Sequence, residues 1–214
     1  MLGILGGTFD PIHFGHLRTA LDVMQAVGLD EVRFIPLHQP VHRAQPKASG
    51  ELRLRMLQLA IDGQPGFSVD DRELKRHGAS YMVDTLASLR EELGGRPICL
   101  ILGGDAFSHF LGWHRPRQIL RLAHLVVMQR PGHGEIHDPA LLQLLESQQI
   151  QVPTELMRAA AGQIYFQPVT QLEISSTQIR ALIAAGKSPH YLLPESVMKQ
   201  IEAAGLYRPI TSFT

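Results

Sequence analysis

Two histidines that bracket a glycine stand near the start of the chain, after a glycine pair and a Thr-Phe-Asp-Pro stretch. His13 and His16 are three positions apart, so they share a face if this segment opens a helix. An imidazole N–H can donate to a phosphoryl oxygen and stabilise the charge that grows as a pyrophosphate leaves. Gly15 between them leaves room for a phosphate or a flat nucleobase. The pattern predicts a site for phosphate chemistry.

Two other interpretations of the histidine pair can be weighed on the residues alone. A tight strand-to-helix turn with two surface histidines would explain the glycines, but not the two histidines around Gly15 after Thr-Phe-Asp-Pro. A zinc site is the weaker option, because no third ligand is evident nearby and two histidines three apart do not make one. We therefore favour phosphate binding, and we expect no metal ion held by the protein itself.

A second segment with phosphate-binding character lies near the other end of the chain. Ser175, Ser176 and Thr177 are good helix caps, and a helix start presents free N–H groups. Arg180 lies one turn further on, where its planar guanidinium can hold two phosphate oxygens. Taken alone, the segment fits an ordinary capped surface helix equally well. Together with the histidine segment it predicts a two-sided phosphate site, as phosphoryl transfer requires.

Short apolar runs alternate with amphipathic stretches along the whole chain. The strands and helices that this pattern predicts must position both segments. Predicted strands cover residues 1–5, 32–35, 98–102, 125–128 and 164–166; predicted helices cover 15–26, 50–61 with Ser49 as cap, a stretch capped by Ser80, 140–145, 176–185 and 195–204. This order is typical of a doubly wound α/β domain with a parallel, Rossmann-like dinucleotide-binding sheet. Ligands of such folds bind beyond the carboxyl ends of strands, where the histidine segment lies. We expect one domain over 1–214.

The composition narrows the class of protein. Twenty basic residues balance twenty acidic ones, which argues against a nucleic-acid or membrane-surface binder. Cys99 is the single cysteine and stands in an apolar run, so we expect a buried core residue rather than a catalytic thiol. The chain opens without a secretory pattern and has no apolar run of about 20 residues. We expect a cytoplasmic protein.

The two segments resemble the paired motifs of the nucleotidyltransferase superfamily related to class I aminoacyl-tRNA synthetases. Gly-Gly-Thr-Phe-Asp-Pro-Ile-His-x-Gly-His with Ile-Ser-Ser-Thr-x-Ile-Arg is similar to the bacterial nicotinate mononucleotide adenylyltransferase family. Further pieces match that family in order: Ser80-Tyr81 with Asp84-Thr85-Leu86, Gly103-Gly104-Asp105 followed by Trp113, and Arg130-Pro131-Gly132. The resemblance covers essentially the whole chain.

The resemblance implies a reaction of ATP with nicotinate mononucleotide that gives nicotinate adenine dinucleotide and pyrophosphate, a step toward NAD. It implies direct attack on the α-phosphorus of ATP without a protein nucleophile, and Mg²⁺ held by phosphates and water. Two alternatives stay open. One is another adenylyl- or cytidylyltransferase of the superfamily, and the other is a nucleotide-binding regulator that has lost catalysis. A homo-oligomer is also left open.

The resemblance also assigns residues. His13, His16 and Arg180 are placed on the ATP phosphates and Asp105 on a ribose. The remaining residues assigned to the ATP site are Gly7, Thr8, Phe9, Gly15, Ile174, Ser175, Ser176 and Thr177. Thr85, Trp113 and His114 are assigned to the pyridine substrate, although Trp113 would also fit a core position and Thr85 an ordinary helix face.

One stretch departs from the family pattern. Pro40-Val41-His42-Arg43 stands where the family has Pro-Pro-His-Lys. Arg43 keeps the positive charge, and we assign it to substrate binding, but an arginine differs from a lysine in shape and donor geometry.

Overall fold

The computed structural model describes residues 1–38, 45–76, 78–129 and 136–208, where strands and helices alternate. The strands are β1 (Leu2–Gly7), β2 (Glu31–Pro36), β3 (Phe67–Val69), β4 (Ile98–Gly103), β5 (His124–Gln129) and β6 (Ile164–Pro168). The helices are α1 (Phe14–Val27), α2 (Gly50–Ile61), α3 (Arg72–Lys75), α4 (Met82–Leu93), α5 (Gly104–Ser108), α6 (Pro116–Leu122), α7 (Pro139–Gln148), α8 (Ser176–Ala184) and α9 (Glu195–Ala203). Two 3₁₀ turns cover Phe110–Gly112 and Pro153–Arg158.

The six strands form one parallel sheet in the order β3-β2-β1-β4-β5-β6. This is the doubly wound, Rossmann-like order, so the predicted fold class is confirmed. The order in which strands are added reverses between β1 and β4, because β2 and β3 lie on one side of β1 and β4, β5 and β6 lie on the other. Ligands of such sheets bind in the crevice beyond the carboxyl ends of the strands at this point. The histidine segment follows β1, and the segment that contains Asp105 follows β4, so both lie at this crevice.

Side chains of the central strands pack alternately into two apolar clusters, one on each face of the sheet. In β4, Cys99 and Ile101 belong to one cluster, and Leu100 and Leu102 belong to the other. Cys99 is fully buried, and burial raises the pKa of its thiol to about 12. The thiol is therefore protonated and inert at neutral pH, as expected of a core residue.

The predicted helix caps had opposite outcomes. Ser49 caps α2, where its hydroxyl accepts from the Leu52 N–H at 3.3 Å. Ser80 does not cap α4, so that prediction was wrong. The residue before α4 is Tyr81, and the Ser80 hydroxyl accepts instead from the His38 N–H at 3.1 Å. The competing donor comes from the segment that follows β2, which sequence reasoning could not place beside α4.

The far end of α4 is fixed by one arginine. The Arg90 guanidinium donates to the carbonyls of Gly94 and Arg96, both at 2.7 Å, and to those of Leu122 at 2.5 Å and Ala160 at 2.9 Å. These carbonyls lie in the segment between α4 and β4, at the end of α6 and in the segment before β6. The hydrogen bonds tie the last turn of α4 to these three places.

The longest of these helices, α1, has 14 residues. Across the described ranges, no helix has the length and apolarity needed to cross a membrane.

Candidate active site

His13 and His16 lie against each other at the start of α1. His13 is the extended residue just before the helix, and its carbonyl accepts from the His16 N–H at 3.0 Å. The two imidazole rings stack with centroids 3.7 Å apart and an angle of 27° between their planes. The Phe9 ring meets His16 edge-on with the centroids at 5.2 Å. The pair is therefore preorganised by the helix start and by an aromatic neighbour.

Burial sets the charge of His13. Its side chain is 5% exposed, and desolvation lowers its pKa to about 4. The ring is therefore neutral at physiological pH and offers one N–H donor and one acceptor. Within the described ranges its Nδ1 is buried and has no hydrogen-bond partner. A neutral imidazole N–H in a site of low dielectric can donate a hydrogen bond to a phosphate oxygen on which negative charge develops.

Two glycines allow close contacts around the histidine pair. A Cβ at Gly15 would lie 2.9 Å from the His13 Nδ1 and 3.4 Å from the Ile174 carbonyl oxygen. The Cβ direction at Gly15 is thus occupied by protein atoms, so the glycine allows His13 and Ile174 to approach the backbone. The assignment of Gly15 to the ATP site stays a prediction. A Cβ at Gly6 would lie 2.7 Å from the Met82 Cε. Gly6 therefore lets the first turn of α4 approach the end of β1.

The Thr8 and Gly7 positions complete the turn after β1. The Thr8 hydroxyl is buried without a partner in the described ranges. The backbone carbonyl of Thr8 accepts from Nη1 of the buried Arg53 at 2.9 Å. A Cβ at Gly7 would lie 2.8 Å from the Phe9 ring, and Phe9 itself has a left-handed φ of 49°. Sequence reasoning missed Arg53, because a charged residue in an amphipathic helix is expected on the solvent face.

The second segment docks directly on the first. The Ser175 hydroxyl caps α8 by accepting from the Gln178 N–H at 3.1 Å. The Ser176 hydroxyl donates to the Pro11 carbonyl at 2.9 Å, and Arg180 Nη1 donates to the Asp10 carbonyl at 2.7 Å. The starts of α1 and α8 therefore converge on one place. We call His13, His16 and Arg180, which the sequence analysis assigned to the ATP phosphates, the phosphate clamp.

Arg180 keeps part of its guanidinium accessible. Its Nη2 contacts the Thr177 hydroxyl at 3.2 Å, and 29% of the side chain is exposed. A guanidinium carries five N–H donors, so donors remain for an incoming anion. Thr177 therefore orients the arginine as well as lying in the predicted ATP site.

Thr85 is placed differently from its expected role. It is fully buried, and its hydroxyl donates to Glu73 Oε1 at 2.6 Å and accepts from Arg76 Nη1 at 3.1 Å. The hydroxyl is thus already bonded within the protein and does not face an open pocket. Thr85 fixes α4 against the segment of α3.

Glu73 is a buried acid that sequence reasoning missed. Burial raises the pKa of its carboxyl, and the hydroxyls of Thr85 and Ser80 oppose that effect. Its Oε2 is buried without a hydrogen-bond partner in the described ranges. No signal in the sequence marked Glu73, because it stands among charged residues that suggest a solvated face.

The residues after β4 face the start of α4. Trp113 is half-buried and packs against Phe110 with the ring centroids at 5.8 Å. His114 is exposed, and its ring lies 4.3 Å from that of Tyr81. Asp105 is exposed in the first turn of α5. The contact between Tyr81 and His114 places the predicted pyridine-binding residues beside the start of α4. The contact between Met82 and Gly6 places the same end of α4 beside β1.

Two further predictions concern Arg43 and metal ions. Arg43 lies outside the described residues. In the ranges that are described, no group of three or more His, Cys, Asp or Glu side chains could hold a metal ion.

Comparison with known proteins gives concordant matches. Residues 4–182 match the family model described as cytidylyltransferase-like. A protein of Methylococcus capsulatus named probable nicotinate-nucleotide adenylyltransferase is 50% identical over 208 residues, which cover 97% of this chain and 99% of that protein. A protein of the same name from Aeromonas hydrophila is 48% identical, with 97% of each chain covered. These similarities extend across both motifs and the sheet between them.

A solved structure shows the same fold. The Plasmodium falciparum nicotinic acid mononucleotide adenylyltransferase complexed with NaAD superposes with a TM-score of 0.71 over 96% of each chain. Its sequence is 16% identical to this one. The agreement at so low an identity supports the doubly wound architecture.

We expect His13→Gln to make the protein less sensitive to acid. Burial holds the pKa of His13 at about 4 in the folded protein, whereas an exposed histidine titrates at about 6.5. Between these values the unfolded chain binds a proton that the folded chain does not, so the free energy of unfolding falls as the pH drops. Glutamine cannot titrate, so this fall should shrink by up to roughly 3 kcal/mol.

Chemical denaturation between about pH 7 and pH 4 measures this effect. The control is His190→Gln, which changes an exposed histidine and should keep the wild-type pH dependence. If His13→Gln also keeps it, His13 titrates normally and the burial argument fails.

We expect Glu73→Gln to gain stability relative to wild type as the pH rises. The folded pKa of Glu73 is raised, so its contribution is fully present below the ordinary carboxyl pKa and is lost as the pH rises through the folded pKa. Glutamine preserves an acceptor for the Thr85 hydroxyl and does not ionise. The difference in unfolding free energy between variant and wild type should therefore move in favour of glutamine from about pH 4 to pH 7.

Denaturation across this range measures the difference, with Glu202→Gln on the exposed side of α9 as the control. A difference that does not change with pH would contradict a raised pKa at Glu73.

Proposed function

The chain belongs to the nicotinate-nucleotide adenylyltransferase family and matches the cytidylyltransferase-like family model, and from this premise we propose how its residues transfer the adenylyl group of ATP to nicotinate mononucleotide. It is a nucleotidyltransferase of NAD biosynthesis. The products are nicotinate adenine dinucleotide and pyrophosphate. The full-length similarity to adenylyltransferases favours this reaction over another transfer of the superfamily and over a non-catalytic regulator.

One observation carries the proposal for the site: α8 docks on the turn after β1, so that Arg180 and the histidine pair converge. Helix starts carry partial positive charge and N–H groups, and α1 and α8 both begin here. We assign the ATP phosphates to this convergence. Gly7, Thr8 and Phe9 form the turn beneath it, and Ile174 lies against Gly15.

The chemistry is a direct displacement. A phosphate oxygen of nicotinate mononucleotide forms a bond to the α-phosphorus of ATP, and the bond from that phosphorus to the oxygen between the α- and β-phosphates breaks. This oxygen leaves as a terminal oxygen of pyrophosphate. Neutral His13 donates one hydrogen bond, while His16 and Arg180 bind the oxygens on which negative charge grows. No side chain forms a covalent intermediate. Mg²⁺, if bound with ATP, would be held by the phosphates and water and would offset the phosphate charge.

We assign the pyridine end of the acceptor to the segment after β4 and to the start of α4. Trp113 offers a ring face for stacking, and His114 is accessible beside Tyr81. Thr85 acts indirectly, because its hydroxyl is bonded to Glu73 and Arg76. We assign the N–H groups of Met82 and Val83, the first two residues of α4, as donors for the acceptor's carboxylate, since those of Asp84 and Thr85 donate to the Tyr81 carbonyl. Asp105, exposed at the start of α5, is assigned to a ribose hydroxyl.

Several assignments rest on the sequence alone. The contact of Arg43 with substrate rests on the resemblance, and the cytoplasmic location and the absence of nucleic-acid or membrane partners rest on the composition and hydropathy of the sequence. A homo-oligomer stays open as well.

The substrate assignment is tested by an acceptor panel. Pyrophosphate release from ATP and from CTP is measured with nicotinate mononucleotide, nicotinamide mononucleotide, phosphopantetheine and glycerol 3-phosphate. We expect release from ATP with the pyridine mononucleotides. Release only with phosphopantetheine or glycerol 3-phosphate would overturn the assignment, and release with none of them would point to a regulator.

We expect nicotinate mononucleotide to be the better pyridine acceptor. A carboxylate accepts several hydrogen bonds at once, whereas the NH₂ of an amide would face at least one N–H donor and leave both unpaired. The cost corresponds to roughly tenfold to a hundredfold in kcat/KM. Trp113→Ala should weaken both acceptors alike, because stacking does not distinguish them, and Trp113→Phe should retain most activity.

Steady-state kinetics with both mononucleotides measures these ratios. Equal kcat/KM in the wild type would refute a donor-lined site. Loss of only one acceptor in Trp113→Ala would refute stacking.

We expect His16→Ala to lower turnover while leaving the fold intact. The ring lies at the start of α1 and stacks on His13, and loss of one donor to developing charge typically costs on the order of 10²–10³ in rate. His190→Ala, an exposed histidine, is the matched control and should turn over normally. A folded His16→Ala protein with near wild-type kcat would eliminate the proposed role.

A further inference from the structure

The carboxylate of Asp10 is buried within the first motif and holds distant parts of the chain. It is 4% exposed. Its Oδ2 accepts from the Lys47 N–H at 2.8 Å, and its Oδ1 accepts from the Ala48 N–H at 3.1 Å. The hydroxyl of Tyr207 donates to the same Oδ1 at 2.7 Å. One side chain thus joins the turn after β1 to the approach to α2 and to the segment after α9.

Asp10 also sets the position of the clamp arginine. Its carbonyl accepts from Arg180 Nη1 at 2.7 Å, and its Oδ2 lies 4.0 Å from the same nitrogen. The buried Arg53 also adds positive charge to the surroundings of the carboxylate. The Asp10 carboxylate is therefore close enough to Arg180 to compete with a phosphate for it.

Tyr207 is built into this arrangement. Gly205 and Tyr207 have left-handed φ values of 61° and 63°, and the Leu206 N–H donates to the Ile201 carbonyl at 3.0 Å. A left-handed backbone is uncommon for a residue other than glycine, so the surroundings hold Tyr207 in this conformation. Burial and the Asp10 carboxylate both raise the pKa of the Tyr207 hydroxyl. The hydroxyl stays protonated and acts as a donor at any physiological pH.

We propose that Tyr207 is a positioning residue for ATP binding and acts through Asp10 on Arg180. The Tyr207 hydroxyl occupies one acceptor position of the Asp10 carboxylate. When the Tyr207 donor is lost, the carboxylate turns to Arg180, whose Nη1 lies 4.0 Å from Oδ2, and draws the guanidinium away from the phosphates. The segment after α9 thereby contributes to the phosphate clamp without touching substrate. This inference rests on the proposed role of Arg180.

The test is Tyr207→Phe, which removes only the hydroxyl. We expect KM for ATP to rise on the order of threefold to tenfold, with KM for nicotinate mononucleotide unchanged. The matched control is Tyr191→Phe, because Tyr191 is 92% exposed and also has a left-handed φ of 67°; this variant should keep both constants.

A double-variant cycle identifies the route. Asp10→Asn removes the charge that draws the guanidinium, so in the Asp10→Asn background Tyr207→Phe should change KM for ATP little. Additive effects would overturn the route through Asp10. Tyr207→Phe with a lower Tm and a wild-type KM for ATP would overturn the inference and leave a purely structural tyrosine.

Two further measurements separate an effect on ATP binding from a loss of stability and from a failure of the proposed reaction. The rise in Tm that ATP produces can be recorded even for a destabilised variant, and it should be smaller in Tyr207→Phe than in wild type. A wild-type enzyme that binds ATP but does not react with nicotinate mononucleotide would refute the proposed function, while the ATP measurements would still decide the role of Tyr207.

Discussion

The site depends on the docking of α8 against the turn that follows β1. Ser176 and Arg180 donate to carbonyls 165 and 170 residues earlier in the chain. These bonds turn two separate helix starts into one positively polarised region at the sheet crevice. The parallel sheet makes this possible, because every strand delivers its following segment to the same edge. The first turn of α4 joins the same edge through the contact of Met82 with Gly6.

Much of this architecture could be predicted from the sequence. The strands that became β1, β4 and β5 are apolar runs flanked by polar segments, and such runs identify strands buried on both faces. The two motifs stand at a strand-to-helix turn and a helix start, where glycines and short hydroxyl side chains have clear conformational reasons. The short elements β3, α3, α5 and α6 were not predicted, because three to seven residues are too few to display a period.

The hydrogen-bond partners inside the site could not be predicted, because they depend on which of several side chains the fold places beside a buried donor or acceptor. Ser80 was expected to cap a helix and instead accepts from a neighbouring segment. Thr85 was expected to meet substrate and instead meets Glu73. Asp10, Arg53 and Glu73 are ionisable residues that are almost fully buried. Their partners come from segments far apart in sequence, and spacing within one segment carries no information about such pairs.

The long separation between Asp10 and Tyr207 has a consequence for how the protein acquires its site. Contacts between residues so far apart form late, because the chain between them must first be ordered. On the ribosome, the histidine segment emerges early and remains without its arginine until nearly the whole domain has been synthesised. A nascent chain therefore contains β1, β2 and β3, one half of the sheet, before its binding site is complete. Nucleotide cannot assist the early stages of folding, and it can select only the completed molecule.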